Sequence, residues 1–286
     1  MYEVDTIELD YLARGDTRLG ARIYRPRARG PFPAMVDGHG GAWIQGTFVN
    51  NDPINRRLAE GGVVVMAVDY TLPPADTYPA SVADMNYAVR WLKLNAAKYD
   101  TKPEWVGLMG TSAGGHLAVL AALKPRDPRY ASLPLPGGSG VGGKAFCVVT
   151  MWPVICPYTR FKENLERHAR SDQLHADRVG SGLEQMKYWV TEDSMAEGSP
   201  MLAVERGDPV DMPDTLYVQA SGDQLHPRHC MDRFCAAYRK RDGKVETLLV
   251  EGEPYDLVRV KADSSEAKRA MKRMIEFVHE CRARTG

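Results

Sequence analysis

The sequence predicts an α/β protein: a mostly parallel, doubly wound sheet in a single domain, residues 1–286. Three observations predict it. Short apolar runs alternate with helical patterns, which is typical of parallel α/β sheets. The middle runs are apolar on both faces, as strands covered by helices on both sides must be. The chain of 286 residues, 44% of them hydrophobic, can also form a core without disulfides or metals.

Six apolar runs are predicted as strands and three segments as helices. The first helix is predicted to start at Ser81, with Asp84 as the partner in a capping pair. The second follows residue 112, and the third covers about 263–283. The strands are "FPAMVDG" (32–38), "GVVVMAVDY" (62–70), "EWVGLMG" (104–110), "KAFCVVTM" (144–151), "TLYVQASG" (215–222) and "ETLLVEG" (246–252).

Residues 152–210 interrupt this alternation and are predicted to form a small helical cap inserted in the domain. Insertions in such sheets lie at the carboxyl edge of the strands, where ligands bind. As a cap, the segment would supply an apolar wall for a substrate. The alternative is an ordinary helical excursion that packs on the core. The side chains concerned are Trp152, Tyr158, Phe161, Met186, Tyr188, Trp189 and Met195.

Charge and composition exclude several classes of partner. The 37 basic and 37 acidic residues cancel, so neither nucleic acid nor a membrane surface is expected as a partner. The apolar run at 63–68 is too short to span a bilayer, and the N-terminal residues lack a signal-peptide core. Five cysteines without CxxC spacing indicate reduced, buried thiols. We therefore expect a cytoplasmic protein, and homo-oligomer formation is left open.

The strongest catalytic signal is "LMGTSAGGHLAVLAAL" (108–123), which contains the G-x-S-x-G pattern from Gly110 to Gly114. An apolar strand precedes it and an Ala/Leu-rich helix follows, which is the context the pattern requires. A sharp strand-to-helix turn would project the Ser112 hydroxyl at the positive end of the helix. Ser112 is therefore the predicted nucleophile.

A second loop, "VDGHGGAW" (36–43), follows its own strand. The adjacent glycines Gly40 and Gly41 allow their N–H groups to point at a developing oxyanion, joined by the N–H of Ala113. These three residues are the predicted oxyanion hole.

At this point the sequence resembles the α/β-hydrolase superfamily, in particular the hormone-sensitive-lipase-like carboxylesterases. Their HGG loop with a following aromatic residue is similar to residues 39–43, and "VDYTLPP" (68–74) is similar to another of their motifs. The resemblance implies an α/β-hydrolase fold and a serine carboxylesterase that forms an acyl-enzyme on Ser112. Its partner would be a small, largely apolar ester, and no metal or organic cofactor is implied. Whether the target is an ester, lactone, amide or carbamate stays open.

The resemblance also assigns roles to individual residues. It implies that His39 orients its loop and does not act as the base. His116, one turn past the serine, is expected from its position to be a helix residue packed under the nucleophile turn. The family order then places an acid after a later strand, and Asp223 in "YVQASGDQLHP" (217–227) matches it. That acid orients the catalytic imidazole and stabilises its charge.

The expected histidine is missing from the loop after the next strand, "EGEPYDLV", where Tyr255 stands. A phenol has a pKa near 10, so only about one in a thousand is ionised at pH 7, and a nearby carboxylate lowers this fraction. The predicted catalytic set is therefore Ser112, Asp223 and Tyr255. Because Tyr255 would be a poor base, we expect weak or absent activity.

Three explanations of the tyrosine remain open. The chain could be an esterase variant whose histidine has been replaced, by design or by natural change. Another histidine could act instead, although one short loop would then supply both acid and base. Finally, the chain could be a non-catalytic pseudo-hydrolase or receptor that binds a small molecule. The candidate histidines are His226 and His229, just after Asp223, and His168 and His175 in the predicted cap.

Overall fold

The computed structural model describes residues 1–15, 17–169, 183–252 and 254–285. Its strands form one eight-stranded sheet in the order β1-β2-β4-β3-β5-β6-β7-β8. The strands from β4 to β8 in that order pair in parallel, while β1 and β2 are antiparallel. This confirms the predicted mostly parallel sheet. The strands are β1 Val4–Arg14, β2 Thr17–Pro26, β3 Ala34–Gly38, β4 Val64–Val68, β5 Val106–Thr111, β6 Cys147–Met151, β7 Asp214–Ala220 and β8 Val245–Val250.

Helices cover both faces of the sheet and create a core on each side. One core contains apolar side chains of α2 and α3, and the other contains those of α1 and α10. Every residue of β3, β4, β5 and β6 is buried, which explains their continuous apolar sequences. The helices are α1 Asp52–Glu60, α2 Ala80–Leu94, α3 Ser112–Leu123, α4 Pro157–Ala169, α5 Met186–Trp189, α6 Glu192–Glu197, α7 Pro200–Arg206, α8 Arg228–Lys240, α9 Leu257–Val260 and α10 Ser265–Arg284.

The N-terminal hairpin of β1 and β2 is absent from the sequence-based prediction. Its strands carry many charged residues, because one side of this edge pair faces solvent. Ion pairs link the two strands across the register, for example Arg25 with Asp5 at 3.2 Å and Arg22 with Glu8. The pattern therefore lacks the apolar runs on which the prediction depended.

The predicted capping pair of Ser81 and Asp84 is wrong. The helix begins at Ala80, and neither side chain caps it. Both are buried and bind the preceding segment instead: Ser81 Oγ donates to the Thr71 carbonyl at 2.6 Å, and Asp84 accepts from Thr71 N–H at 2.8 Å. Arg14 Nη1 also donates to Asp84, at 3.2 Å. These side chains secure the loop after β4 rather than the helix end.

Residues 152–210 lie between β6 and β7 and contribute α4 to α7. Several of the large apolar side chains expected to line a substrate wall are packed inside the protein. Tyr188, Trp189 and Met195 are fully buried, and Tyr188 stacks on Trp43 at a ring-centroid distance of 5.9 Å. Much of this aromatic content therefore fixes the segment to the body of the domain.

Two further properties concern the chain as a whole. Within the described ranges, no helix has both the length and the apolar character needed to cross a membrane. The cysteines at 147, 156, 230, 235 and 281 are all free and buried.

Candidate active site

The turn from β5 into α3 presents Ser112 at the carboxyl edge of the sheet. Ser112 has a φ of +51°, a left-handed conformation that is strained for a residue with a side chain. The flanking glycines make this turn sterically feasible. A Cβ on Gly114 would lie 2.0 Å from the Gly38 carbonyl oxygen, and one on Gly110 would lie 2.5 Å from the Gly114 carbonyl. The glycines of the G-x-S-x-G pattern are thus required by close backbone packing.

A histidine is positioned beside Ser112, and it is His226. Its Nε2 lies 3.2 Å from Ser112 Oγ, while its Nδ1 lies 2.9 Å from Asp223 Oδ2. The imidazole is only 3% exposed and the Asp223 carboxylate is fully buried. The three side chains form a continuous serine–histidine–carboxylate chain.

Local hydrogen bonds explain how one short loop after β7 holds both the Asp223 carboxylate and the His226 imidazole. Asp223 Oδ1 accepts from the backbone N–H groups of Leu225 at 2.9 Å and His226 at 3.1 Å. This leaves Oδ2 free to accept from the imidazole. Gln219 Nε2 donates to the His226 carbonyl at 2.8 Å, and α8 begins directly after Pro227. The conformation of this turn is therefore fixed by bonds within the loop and does not depend on the contact between the imidazole and Ser112.

The two contacts of His226 set the roles of its nitrogens. The carboxylate can only accept, so Nδ1 must carry the proton that it donates to Asp223. In the neutral ring, Nε2 then has a lone pair directed at the Ser112 hydroxyl. This is the tautomer that a general base for serine requires.

The loop at 39–43 lies against the nucleophile turn. A Cβ on Gly40 would lie 3.5 Å from Ser112 Cβ, so Gly40 packs directly against the nucleophile turn. Among the described residues, no acceptor takes the N–H groups of Gly40 and Gly41. Ala42 and Trp43 have φ values of 52° and 62°, and burial of the Trp43 ring offsets this strain.

Comparisons with known proteins agree with this geometry. The BD-FAE family model matches residues 22–133. The chain is 29% identical to esterase LipC of Mycobacterium tuberculosis over 88% of its own length, and 35% identical over 82% to a probable isoprenylcysteine α-carbonyl methylesterase of Oryza sativa subsp. japonica. It is also similar to the crystal structure of an esterase from Pyrobaculum calidifontis. That match has a TM-score of 0.76 and 25% identity, and it covers 96% of this chain and 84% of the esterase.

The chain belongs to the hormone-sensitive-lipase-like carboxylesterase family of the α/β-hydrolase superfamily. The matches span 60% of LipC and 54% of the Oryza protein, so the chain corresponds to somewhat more than half of these two relatives.

In this α/β-hydrolase chain, His39 and His116 are buried beside the site and bind the backbone and side chains around it. His39 Nδ1–H donates to the Gly40 carbonyl at 2.7 Å, and its ring stacks on Tyr70 at 4.2 Å. His116 accepts from Trp43 Nε1–H at 3.2 Å and donates from Nε2 to the Gly198 carbonyl at 2.8 Å. Burial lowers the pKa of each histidine to about 4, so both are neutral at pH 7.

A buried polar network also joins the two loops of the hydrolase site, and sequence reasoning missed it. Thr111 Oγ1 donates to Asn51 Oδ1 at 3.1 Å, and Asn51 Nδ2 donates to both carboxylate oxygens of Asp37 at 3.1 Å. Asn55 donates to the same carboxylate at 2.8 Å. Burial raises the pKa of Asp37 to about 6. The one available signal was a charged residue inside an otherwise apolar strand.

The structure brings Ser112, Asp223, Gly40, Gly41 and Ala113 to one edge of the sheet, but it does not connect Tyr255 to the serine. The Tyr255 ring packs beside His226 at a centroid distance of 5.5 Å. Within the described residues, its hydroxyl forms no hydrogen bond with Ser112 or Asp223.

The other candidate histidine whose side chain the structure describes is His229, and it does not contact Ser112. His229 points away from it: its side chain is 51% exposed and lies 2.9 Å from Glu163 Oε1. His175 lies outside the described residues, and so does the side chain of His168.

Proposed function

We propose that this chain is a serine carboxylesterase that hydrolyses small, largely apolar esters through an acyl-enzyme on Ser112, with His226 as general base and Asp223 as its acid partner. The observation that carries the proposal is the pair of contacts made by His226, 3.2 Å to Ser112 Oγ and 2.9 Å to Asp223 Oδ2. The esterase relatives support ester hydrolysis as the reaction class.

In the proposed reaction, Ser112 Oγ attacks the ester carbonyl as its proton passes to His226 Nε2. The N–H groups of Gly40, Gly41 and Ala113 donate to the oxyanion that forms. His226 then returns the proton to the departing alkoxide, which leaves as the alcohol, and the acyl group remains on the serine. Water repeats the sequence with His226 as base and releases the carboxylic acid. No step requires Tyr255 to ionise.

This proposal changes the expectation of impaired turnover. That expectation depended on a missing base, and His226 offers an imidazole at hydrogen-bond distance from the serine. Burial raises the pKa of Tyr255, and the nearby charge of Asp256 adds to this effect. A neutral phenol cannot take the serine proton. We therefore propose an active enzyme in which Tyr255 has another role.

Two finer parts of the proposal concern the surroundings of the site. We propose that residues 152–210 act as a cap, with the half-buried Tyr158 as an apolar side chain that remains partly accessible. We also propose a reducing, cytoplasmic compartment, which the free and buried cysteines support.

Covalent labelling combined with hydrolysis tests the proposal. The chain should react with a fluorophosphonate at Ser112 and should hydrolyse p-nitrophenyl butyrate. His226→Ala should lower kcat by a factor on the order of 10⁶, as removal of the base does in a serine protease. His229→Ala is the matched control, because it removes an exposed histidine from the same region, and its kcat should equal that of the parent chain.

Each alternative gives a different outcome. A serine that is neither labelled nor able to turn over ester would favour the non-catalytic, ligand-binding alternative. If His226→Ala retained full activity, another group would be the base and the proposed mechanism would be wrong.

A further inference from the structure

The ring of Tyr255 lies directly against the imidazole of the proposed base. The two ring centroids are 5.5 Å apart and their planes meet at 58°. Tyr255 also meets Trp152 edge-on, at a centroid distance of 6.5 Å and an interplanar angle of 77°. Tyr255 thus contacts both the imidazole of His226 and the indole of Trp152, a residue that is 2% exposed.

Trp152 is held in place through its backbone. It follows β6 directly, and its backbone N–H donates to the Val218 carbonyl of the neighbouring strand at 2.6 Å. Its φ of 38° is unusual for a residue with a side chain, so surrounding contacts must hold it in place. Tyr255 therefore packs against an indole that is held in place as well as against the imidazole of His226.

The hydrogen bonds of His226 do not hold the carbon atoms of its ring. Both polar contacts are made at ring nitrogens, to Asp223 Oδ2 and Ser112 Oγ. Torsion of the side chain about its Cα–Cβ and Cβ–Cγ bonds moves the ring carbons and turns the Nε2 lone pair away from Ser112 Oγ, so packing against the ring opposes this motion. Proton transfer needs that lone pair aligned with the serine hydroxyl.

We propose that Tyr255, backed by Trp152, is a positioning residue that holds the imidazole plane of His226 through contact with its aromatic ring. The inference rests on the proposed function, since it requires His226 to be the base. It predicts that the ring of Tyr255 matters and its hydroxyl does not, because that hydroxyl contacts neither Ser112 nor Asp223 in the part of the chain that is described.

Three variants at one position separate ring from hydroxyl, with kcat and KM measured on p-nitrophenyl butyrate. Tyr255→Phe keeps the ring and should leave kcat within about twofold of the parent. Tyr255→Ala should lower kcat about five- to tenfold at nearly constant KM, the range expected for loss of one aromatic contact. Tyr255→Leu retains bulk without the ring and should fall in between. It also serves as the second variant if the alanine protein does not fold.

A double mutant tests whether Tyr255 acts through His226. If it does, Tyr255→Ala should have no further effect in the His226→Ala background, although alone it lowers kcat. The residual rate of such a variant still lies about 10³–10⁴-fold above the uncatalysed reaction, so it can be measured.

Several results would overturn the inference. Equal losses for the phenylalanine and alanine variants would show that the hydroxyl is the important group. An unchanged kcat in Tyr255→Ala, or the same loss with and without His226, would show that the ring does not position the base. Failure of the proposed function is distinct from all of these, because there His226→Ala alone would match the parent.

Discussion

Replacing Asp223 with asparagine should reverse the proton arrangement of His226 without removing any heavy atom from the site. Asp223 Oδ1 accepts two backbone N–H groups, at 2.9 and 3.1 Å. An asparagine must keep its oxygen on that side, because its amide nitrogen would otherwise face two donors. The amide NH₂ therefore faces His226 Nδ1, which lies 2.9 Å from Oδ2 in the present chain. Nδ1 must then accept, and the ring proton moves to Nε2.

The expected cost follows from the tautomer. With its proton on Nε2, the imidazole donates to Ser112 Oγ and has no lone pair with which to take the hydroxyl proton. The same exchange in the serine protease triad lowers kcat by about 10⁴, equivalent to about 5 kcal/mol of transition-state stabilisation. KM should change little, since the Asp223 side chain is fully buried and does not meet the substrate.

The assay is steady-state hydrolysis of p-nitrophenyl butyrate at pH 7, with thermal unfolding to confirm that the variant is folded. Asp232→Asn is a suitable control. It makes the same chemical change in α8, where the carboxylate is 58% exposed and pairs with Arg228 at 3.0 Å. This control should keep the parental kcat. An Asp223→Asn enzyme with more than about a tenth of the parental kcat would refute the assigned tautomer.

Three other substitutions test the framework of the site. Gly114→Ala places a Cβ 2.0 Å from a β3 carbonyl oxygen and should cost at least about 3 kcal/mol in urea unfolding, whereas Gly142→Ala, with no atom within 4 Å, should cost under about 1 kcal/mol. Burial lowers the pKa of His116 from 6.5 to about 4, so the folded state loses stability as pH falls through that window. Between pH 7 and pH 4, the His116→Gln protein should lose up to about 3 kcal/mol less of its free energy of unfolding than the parent does. An unchanged pH dependence would contradict the lowered pKa of His116. Tyr255→His should not raise p-nitrophenyl butyrate hydrolysis by orders of magnitude, because His226 already supplies an imidazole; a large rise would restore position 255 as the site of the base.

The sequence was sufficient to predict the covered part of the sheet but not its edge. β4 was predicted at 62–70 and is observed at Val64–Val68, because a strand buried on both faces must be apolar throughout. β1 and β2 have solvent on one side, so their charged residues interrupt the apolar pattern. Their alternating side chains are a weaker signal, and the cross-strand ion pairs appear only once the register is known.

The sequence could suggest site residues where the chemistry is local, but not where the contact depends on how a turn folds. Ser112 follows from the small residues around it, since the adjacent backbones leave no space for a Cβ at Gly114. The proposed base could not be identified by counting loops, because the contact between His226 and Ser112 depends on the fold of one turn. Asp223 and His226 lie only a few residues apart, and their side chains meet because backbone N–H groups bind the same carboxylate.

If one loop supplies both the proposed acid and the proposed base, the other loops at the site have fewer roles to fill. The Asp223–His226 geometry is set by bonds within one turn, so only the distance from this turn to Ser112 depends on the sheet. That distance is spanned across β6, which separates β5 from β7. The loop after β8 then does not need to supply a general base. Its residue Tyr255 can instead place an aromatic ring 5.5 Å from the imidazole. Tyrosine at position 255 is therefore compatible with catalysis as long as Asp223 and His226 keep their shared turn.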